Sequence, residues 1–200
     1  MKDYKFVDIG TCFYDTSLDL YGDSELCILV EPIEEFLSYF PNRSNIIKEC
    51  SAIYDSEGTA TINMFFVPEM LNDDLRNLKR KYKVSQSSLV RDNIIGCDKV
   101  TKRKIKTITF ETLCKKHKIK SIDFLKIDAE GSDYLILCQV YEMILAEKIN
   151  INKIQFEMLS NLNNEKLSYE LAKKFIKLGY SSSSIYYHIG KFTDITLVKE

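Results

Sequence analysis

The chain has 200 residues, 45% of them hydrophobic and 28% charged, with only 3 Pro and 7 Gly, which excludes collagen-like, Pro/Gly-rich and mostly disordered chains. No apolar run approaches the roughly 18 residues of a membrane span, and the opening MKDYKFVDIG has no signal-peptide core. The formal net charge of −1 argues against a generic polyanion binder, but it is unevenly spread: residues 79–120 carry 14 Lys and Arg against three acids, a local +11, while the rest sums to −12.

Short apolar runs alternate with amphipathic stretches from the start. KFVDI (5–9) is a β-branched run ending in Gly10, and about one helical turn around 16–21 separates it from CILVE (27–31), which ends at Pro32. Apolar positions 33, 36, 37 and 40 have helical spacing, closed by Pro41-Asn42. NIIKECSAIY (45–54) reads as one buried strand, and TATINMFF (59–66), after a turn at 55–58, as a further, antiparallel one. Residues 67–103 read as a basic, irregular surface insertion with some helix. KIKTITF (104–110) is strand, 111–118 a short helix and SIDFLKID (121–128) a buried strand. A long helix is expected over 132–147, with its apolar face at 134, 135, 138, 141 and 145. NKIQFEM (152–158) is strand, 164–178 a helix stopping at Gly179, and 180–198 two strands about Gly190-Lys191. Strands alternating with helices imply a mostly parallel sheet covered on both faces, with one antiparallel member from the closing hairpin. A single domain over residues 1–200 is expected.

The six cysteines, Cys12, Cys27, Cys50, Cys97, Cys114 and Cys138, form no CxxC pair or Cys/His cluster, and Cys27, Cys50 and Cys138 lie in apolar runs. A reduced, cytoplasmic protein is expected.

Two junctions could carry chemistry. In an open α/β sheet, ligands bind outside the carboxyl ends of strands, where strand order reverses. Gly10 after the first strand would let backbone approach a ligand, and Glu31, at the tip of the second, could accept hydrogen bonds from both ribose hydroxyls. The plainer reading makes Gly10 a turn and Glu31 a solvated acid. In Leu125-Lys126-Ile127-Asp128-Ala129-Glu130-Gly131, Asp128 and Glu130 share one side of an extended chain. They could hold a substrate hydroxyl, act as a base or bind a divalent cation, or Glu130 and Ser132 could simply favour the helix N-terminus. Glu157 adds a third acid near the same edge.

In this order, these stretches resemble the FkbM-type family of S-adenosylmethionine-dependent methyltransferases. Val7-Asp8-Ile9-Gly10 is similar to that family's opening V-D-I/V-G, and Val30-Glu31-Pro32 to its F-E-P. Ser51-Ala52-Ile53 before Glu57-Gly58, Ser87-Ser88-Leu89, and Thr107-Ile108-Thr109-Phe110 resemble its later segments, and Leu125 to Gly131 its L-K-I-D-V/A-E-G. Phe156-Glu157 falls where the family places an acid after strand five. The resemblance covers about residues 5–160, and the K-I-D-A-E-G run is its most specific piece. The chain departs from it at Cys12 and Tyr14, which stand where the family has Asn and a second Gly.

The resemblance implies a Rossmann-like class I methyltransferase fold of α/β type and methyl transfer to a hydroxyl of a sugar, glycan or small metabolite. It implies S-adenosylmethionine as cofactor, framed by Asp8, Gly10, Thr11, Cys12, Glu31, Pro32 and Ser51. Asp128 and Glu130 would face the transfer centre. The sulfonium is the electrophile, so the protein must align the hydroxyl and remove its proton. His188, in the turn after strand six on the same face of the sheet, is a further catalytic candidate, whereas His117 reads as a solvated surface residue. No metal is assigned. The basic stretch reads as a solvated face, or as the contact for an anionic acceptor such as a phosphorylated or acidic glycan; neither nucleic acid nor membrane is the expected partner of the enzyme. The alternative is a catalytically degenerate methyltransferase-like module that binds a partner or nucleic acid through residues 79–120. Gly10-Thr11-Cys12 lacks the G-x-G-x-x-G of a dinucleotide-dependent dehydrogenase, and no N-P-P-Y-type turn of amino-group methyltransferases is present.

Overall fold

The computed structural model describes residues 1–12, 18–64, 89, 101–159, 165–188 and 192–200, with the backbone path alone at 158–159, 165, 183–188 and 192–193. Strand β1 (Lys2–Ile9) leads through a 3-10 turn (Leu18–Leu20) to β2 (Cys27–Val30), the single-turn helix α1 (Glu34–Leu37) and β3 (Ile46–Glu49). Three strands follow: β4 (Ala52–Ile53), β5 (Gly58–Met64) and β6 (Thr101–Ile108). The remainder is α2 (Phe110–His117), β7 (Ile119–Ile127), α3 (Asp133–Leu145), β8 (Asn150–Leu159), α4 (Glu165–Lys177), β9 (Tyr180–His188) and β10 (Phe192–Lys199).

Seven strands form one sheet in the order β3-β2-β1-β7-β8-β10-β9. The pairs β1–β2, β2–β3, β1–β7 and β7–β8 are parallel, and β10 runs antiparallel to both neighbours. This is the expected class I methyltransferase arrangement with its C-terminal antiparallel hairpin. Its central strands are apolar on both faces, as in β2, where all four residues are buried. Alternate residues feed two clusters. Val7, Ile9, Val30, Leu125 and Ile127 join Phe110 and Leu113 of α2, Ile136, Leu137 and Val140 of α3, and Leu171 and Phe175 of α4. On the other face Phe6, Leu29 and Phe124 meet Leu18, Leu37 and Phe40, and the Tyr21 ring stacks on Phe6 at 5.0 Å.

Three elements depart from the sequence reading. Residues 45–54 are not one strand: β3 belongs to the large sheet, whereas β4 pairs with β6 in a second, three-stranded sheet of order β4-β6-β5. The apolar run is continuous across Cys50-Ser51, so hydropathy did not mark the change of partner. The expected helix at 33–40 shrinks to α1, one turn whose residues before Leu37 include the adjacent acids Glu34 and Glu35. In α3, Ile136, Leu137, Val140 and Met143 are buried, not the face at 134, 135, 138, 141 and 145; Leu145 is 51% exposed. That helix is apolar nearly all round, so packing against β7, β8 and its helical neighbours selects the buried side. Tyr141 lies at its rim, edge-on to Phe175 at 5.3 Å.

Candidate active site

The large sheet reverses its order between β1 and β7, and a cleft opens at the carboxyl ends of these strands. Counted to its open mouth it has a volume of about 550 Å³. Gly10 forms its floor. A Cβ there would lie 1.8 Å from the Asp128 carbonyl oxygen, and the residue's φ of +85° favours glycine independently. The close approach is held by the Asp128 N–H donating to the Ile9 carbonyl at 2.8 Å and the Gly10 N–H donating to the Val30 carbonyl at 2.9 Å.

Glu31 ties the first loop to the tip of β2. One carboxylate oxygen accepts the Cys12 N–H and the other the Ile33 N–H, each at 3.0 Å. Cys12 is thereby held at φ +53°, a conformation in which non-glycine residues are uncommon. Glu31 is 5% exposed, and burial pushes its carboxyl up to about 8 against those two N–H bonds, with the Asp8 charge adding to the rise.

The loop after β7 is also built in left-handed backbone, with φ +49° at Glu130 and +110° at Gly131. Asp133 closes it: its two oxygens accept the Ala129 N–H at 3.1 Å and the Gly131 N–H at 3.0 Å. Burial, then the neighbouring Asp128 charge, raise Asp133 to about 6. Beneath this loop Lys126, 8% exposed, places its ammonium 3.2 Å from Asp128 Oδ2 and 3.9 Å from Asp8 Oδ1. Asp8 and Lys126 face each other in the β1–β7 register, so strand pairing itself sets this contact.

Of the ten site residues expected from sequence, Gly10, Cys12, Glu31, Pro32, Ser51, Asp128 and Glu130 line the cleft. Asp8 and Thr11 are fully buried beside it, where the Thr11 hydroxyl donates to the Asp8 carbonyl at 3.2 Å. Ser51 is also fully buried, with its hydroxyl donating to Glu49 at 3.1 Å. The backbone of His188 ends β9 at the same sheet edge, but three strand spacings from β7, or about 14 Å. Its side chain, like Tyr14, Ser87, Ser88 and Cys97, lies outside the described residues; Leu89 lines the cleft. Glu157 stands at the end of β8 with one buried carboxylate oxygen that has no hydrogen-bond partner among the described residues. Burial, then the charges of Asp128, Glu130, Asp133 and Asp194, raise it to about 9. Among the described residues no cluster of His, Cys, Asp or Glu has the arrangement of a metal site.

Sequence reasoning missed Asp133, Lys126 and Glu49. Lys126 lies within the most specific motif and Asp133 two residues beyond its end, so their proximity to Asp128 was available as a signal; Glu49 looked like an ordinary strand acid. His117 is a correction: it is not solvated. Its Nε2 lies 2.8 Å from Glu49 Oε2, with 12% of the side chain exposed. Lys116 bonds the same carboxylate at 2.7 and 3.0 Å, and the network is anchored on a Glu49 that is 3% exposed. No helix among the described residues is long and apolar enough to cross a membrane.

A search of curated protein sequences finds no significant match. Solved structures similar to this chain include the METTL16 methyltransferase domain, at 10% identity and a TM-score of 0.46, covering 99% of this chain and 60% of that one. A methyltransferase from Pyrococcus furiosus is 15% identical with a TM-score of 0.40, covering 98% of this chain and 74% of its own. The W203A mutant of the 16S rRNA (adenine(1408)-N(1))-methyltransferase from Catenulisporales acidiphilia is 10% identical with a TM-score of 0.43, covering 98% and 84%. The chain thus spans less than two thirds of the METTL16 structure. The model of the Methyltransferase FkbM domain matches residues 8–182, from Asp8 near the end of β1 to the start of β9, and the chain belongs to that family of methyltransferases.

Proposed function

We propose that the protein transfers the methyl group of S-adenosylmethionine to a hydroxyl oxygen of a sugar, glycan or small metabolite. The residues at the cleft fit such a cofactor. Gly10 leaves bare backbone at the floor, and Ile9, Phe36, Ile53 and Ile62 supply apolar walls. Glu31 offers a carboxylate whose oxygens each accept one N–H and retain a lone pair for a ribose hydroxyl. Asp8 and Thr11 would support this cradle from beneath rather than touch the ligand, while Cys12, Pro32 and Ser51 complete its wall.

The cofactor supplies an electrophilic methyl group on a positively charged sulfur. Bound there, it would pass that methyl to the acceptor oxygen and keep the C–S electron pair on sulfur, which leaves this chain's residues to align the hydroxyl and take up its proton. The observation that carries the reading is that Asp128 and Glu130, in the loop after β7, line the same cleft as Glu31. A carboxylate there can accept the acceptor's hydroxyl proton and hold it in line. The Lys126 ammonium lies 3.2 Å from Asp128 Oδ2 and helps to orient that carboxyl group.

Calorimetry with S-adenosylhomocysteine, followed by radiolabelled methyl transfer to a panel of saccharides and alcohols, tests it. Asp128→Ala should lower turnover by about 10² or more while leaving cofactor affinity within about twofold. No cofactor binding at millimolar concentration would overturn the enzyme reading, and a label found on acceptor nitrogen would overturn transfer to oxygen.

A further inference from the structure

A second groove adjoins the cleft, sharing Pro32 with it. Its volume is about 1020 Å³ counted to the open surface, and it runs between α1 and the small sheet. Arg103, Lys104, Ile105 and Lys106 of β6 form one side, and Glu34, Glu35 and Cys50 lie opposite. The acids do not cancel the bases. Glu35 is held by Arg103 in a two-pronged pair at 2.5 and 2.7 Å, which keeps its carboxyl below the usual range. That leaves Lys104 and Lys106 against Glu34, and neither lysine has an acidic partner among the described residues. Both are exposed, on alternate positions about 6.8 Å apart, with Thr61 and Thr59 opposite them on β5.

We propose that this groove binds an acidic group of the methyl acceptor, a sulfate, phosphate or carboxylate carried on a sugar. The proposal rests on reading the neighbouring cleft as the cofactor site. Two exposed ammonium groups with threonines paired opposite them on β5 suit anionic oxygens, and the shared Pro32 joins the groove to the cleft. Among the described residues the groove lining contains no aromatic side chain, the group on which proteins stack single-stranded nucleic acid. Part of the sequence's basic excess thereby acquires a place. Lys102 lies on the same exposed face of β6 but does not line the groove, so it serves as an internal control.

The test is a binding titration with four probes: a heparin tetrasaccharide, an oligogalacturonate tetramer, neutral maltotetraose and an oligothymidine octamer. It is run on the wild type, Lys102→Gln, the double variant Lys104→Gln/Lys106→Gln and the double variant Lys104→Arg/Lys106→Arg. Both acidic sugars or one of them should bind, which separates sulfate from carboxylate preference, and maltotetraose should not. The double Gln variant should lose about tenfold in affinity, the Arg pair should retain it, and Lys102→Gln should leave it unchanged. Binding should weaken as salt is raised. Equal affinity in wild type and double Gln variant, no binding of either acidic sugar, or tighter binding of the oligothymidine overturns the proposal. S-adenosylhomocysteine affinity is measured in the same samples. Its loss in wild type would defeat the cofactor reading, whereas intact cofactor binding without acidic-sugar binding defeats this inference alone.

Discussion

At Lys126 a single ammonium lies between two carboxylates that strand pairing brings to one edge. Burying a cation is costly unless it is paired, and here Lys126 is paired with Asp128 and Asp8. Lys126→Met would leave Asp8 and Asp128 facing each other without the cation. Removing one partner of a buried pair costs about 3–5 kcal/mol. Urea unfolding at pH 8 should show a loss of that order, shrinking as pH falls and the two acids take up protons in the folded state. A pH-independent loss would mean that Lys126 acts only through packing. Lys126→Arg should restore much of the stability. Gly10 is determined differently: both its positive φ and the Asp128 carbonyl packed on its Cα exclude a side chain. The glycine and its neighbouring motif were legible as text, because a residue with no alternative leaves a fixed letter. Lys126 was legible only as part of a word, since its partner Asp8 is 118 positions away in the chain.

At the scale of elements, β3 and α2 are joined by the network of Glu49 with Lys116, His117 and Ser51. Burial alone would raise Glu49, but hydrogen bonds from Lys116, His117 and Ser51 outweigh it and hold the carboxyl below its usual range. The stability this contributes is present above the unfolded pKa and is lost as pH falls through the folded one. Glu49→Gln should therefore cost about 1–3 kcal/mol at pH 7, with the difference from wild type shrinking as pH falls through the folded-state pKa. A difference that does not change on acidification would show that packing, not charge, is involved. Strand and helix positions were readable from periodicity wherever one face differed from the other, as in α2 with its Thr109 cap and basic last turn. They were not readable in α3, whose sides are alike, or at Cys50-Ser51, where one apolar run serves two sheets.

At the scale of the whole molecule, acids collect at one edge of the sheet. Glu31, Asp133 and Glu157 are raised to about 8, 6 and 9, so their contribution has the opposite sign to that of Glu49. It is fully present below the unfolded carboxyl pKa and is lost as pH rises through these folded values. Thermal unfolding should accordingly fall in midpoint between about pH 6 and 9, and Glu157→Gln should flatten that limb and raise the midpoint at pH 9. Each kcal/mol corresponds to about 2–4 °C in a chain of this size. A variant with the same alkaline slope as wild type would remove Glu157 from this account. The charge segregation also resolves at this scale. Arg103 and Lys116, part of the basic stretch, are paired with Glu35 and Glu49 from the acidic remainder, and Lys104 and Lys106 are left facing the groove.

The sequence by itself determined the alternation of strands and helices, the closing hairpin, the two glycine-containing junctions and the acids at their tips. These follow from local hydropathy and from backbone positions that tolerate only one residue type. The tertiary structure alone decided that β4 leaves the large sheet, that His117 turns inward to Glu49, and that Asp8 and Thr11 lie beneath the cleft rather than in it. Those outcomes depend on contacts between residues far apart in the chain, whose burial and charge exist only once the strands have paired.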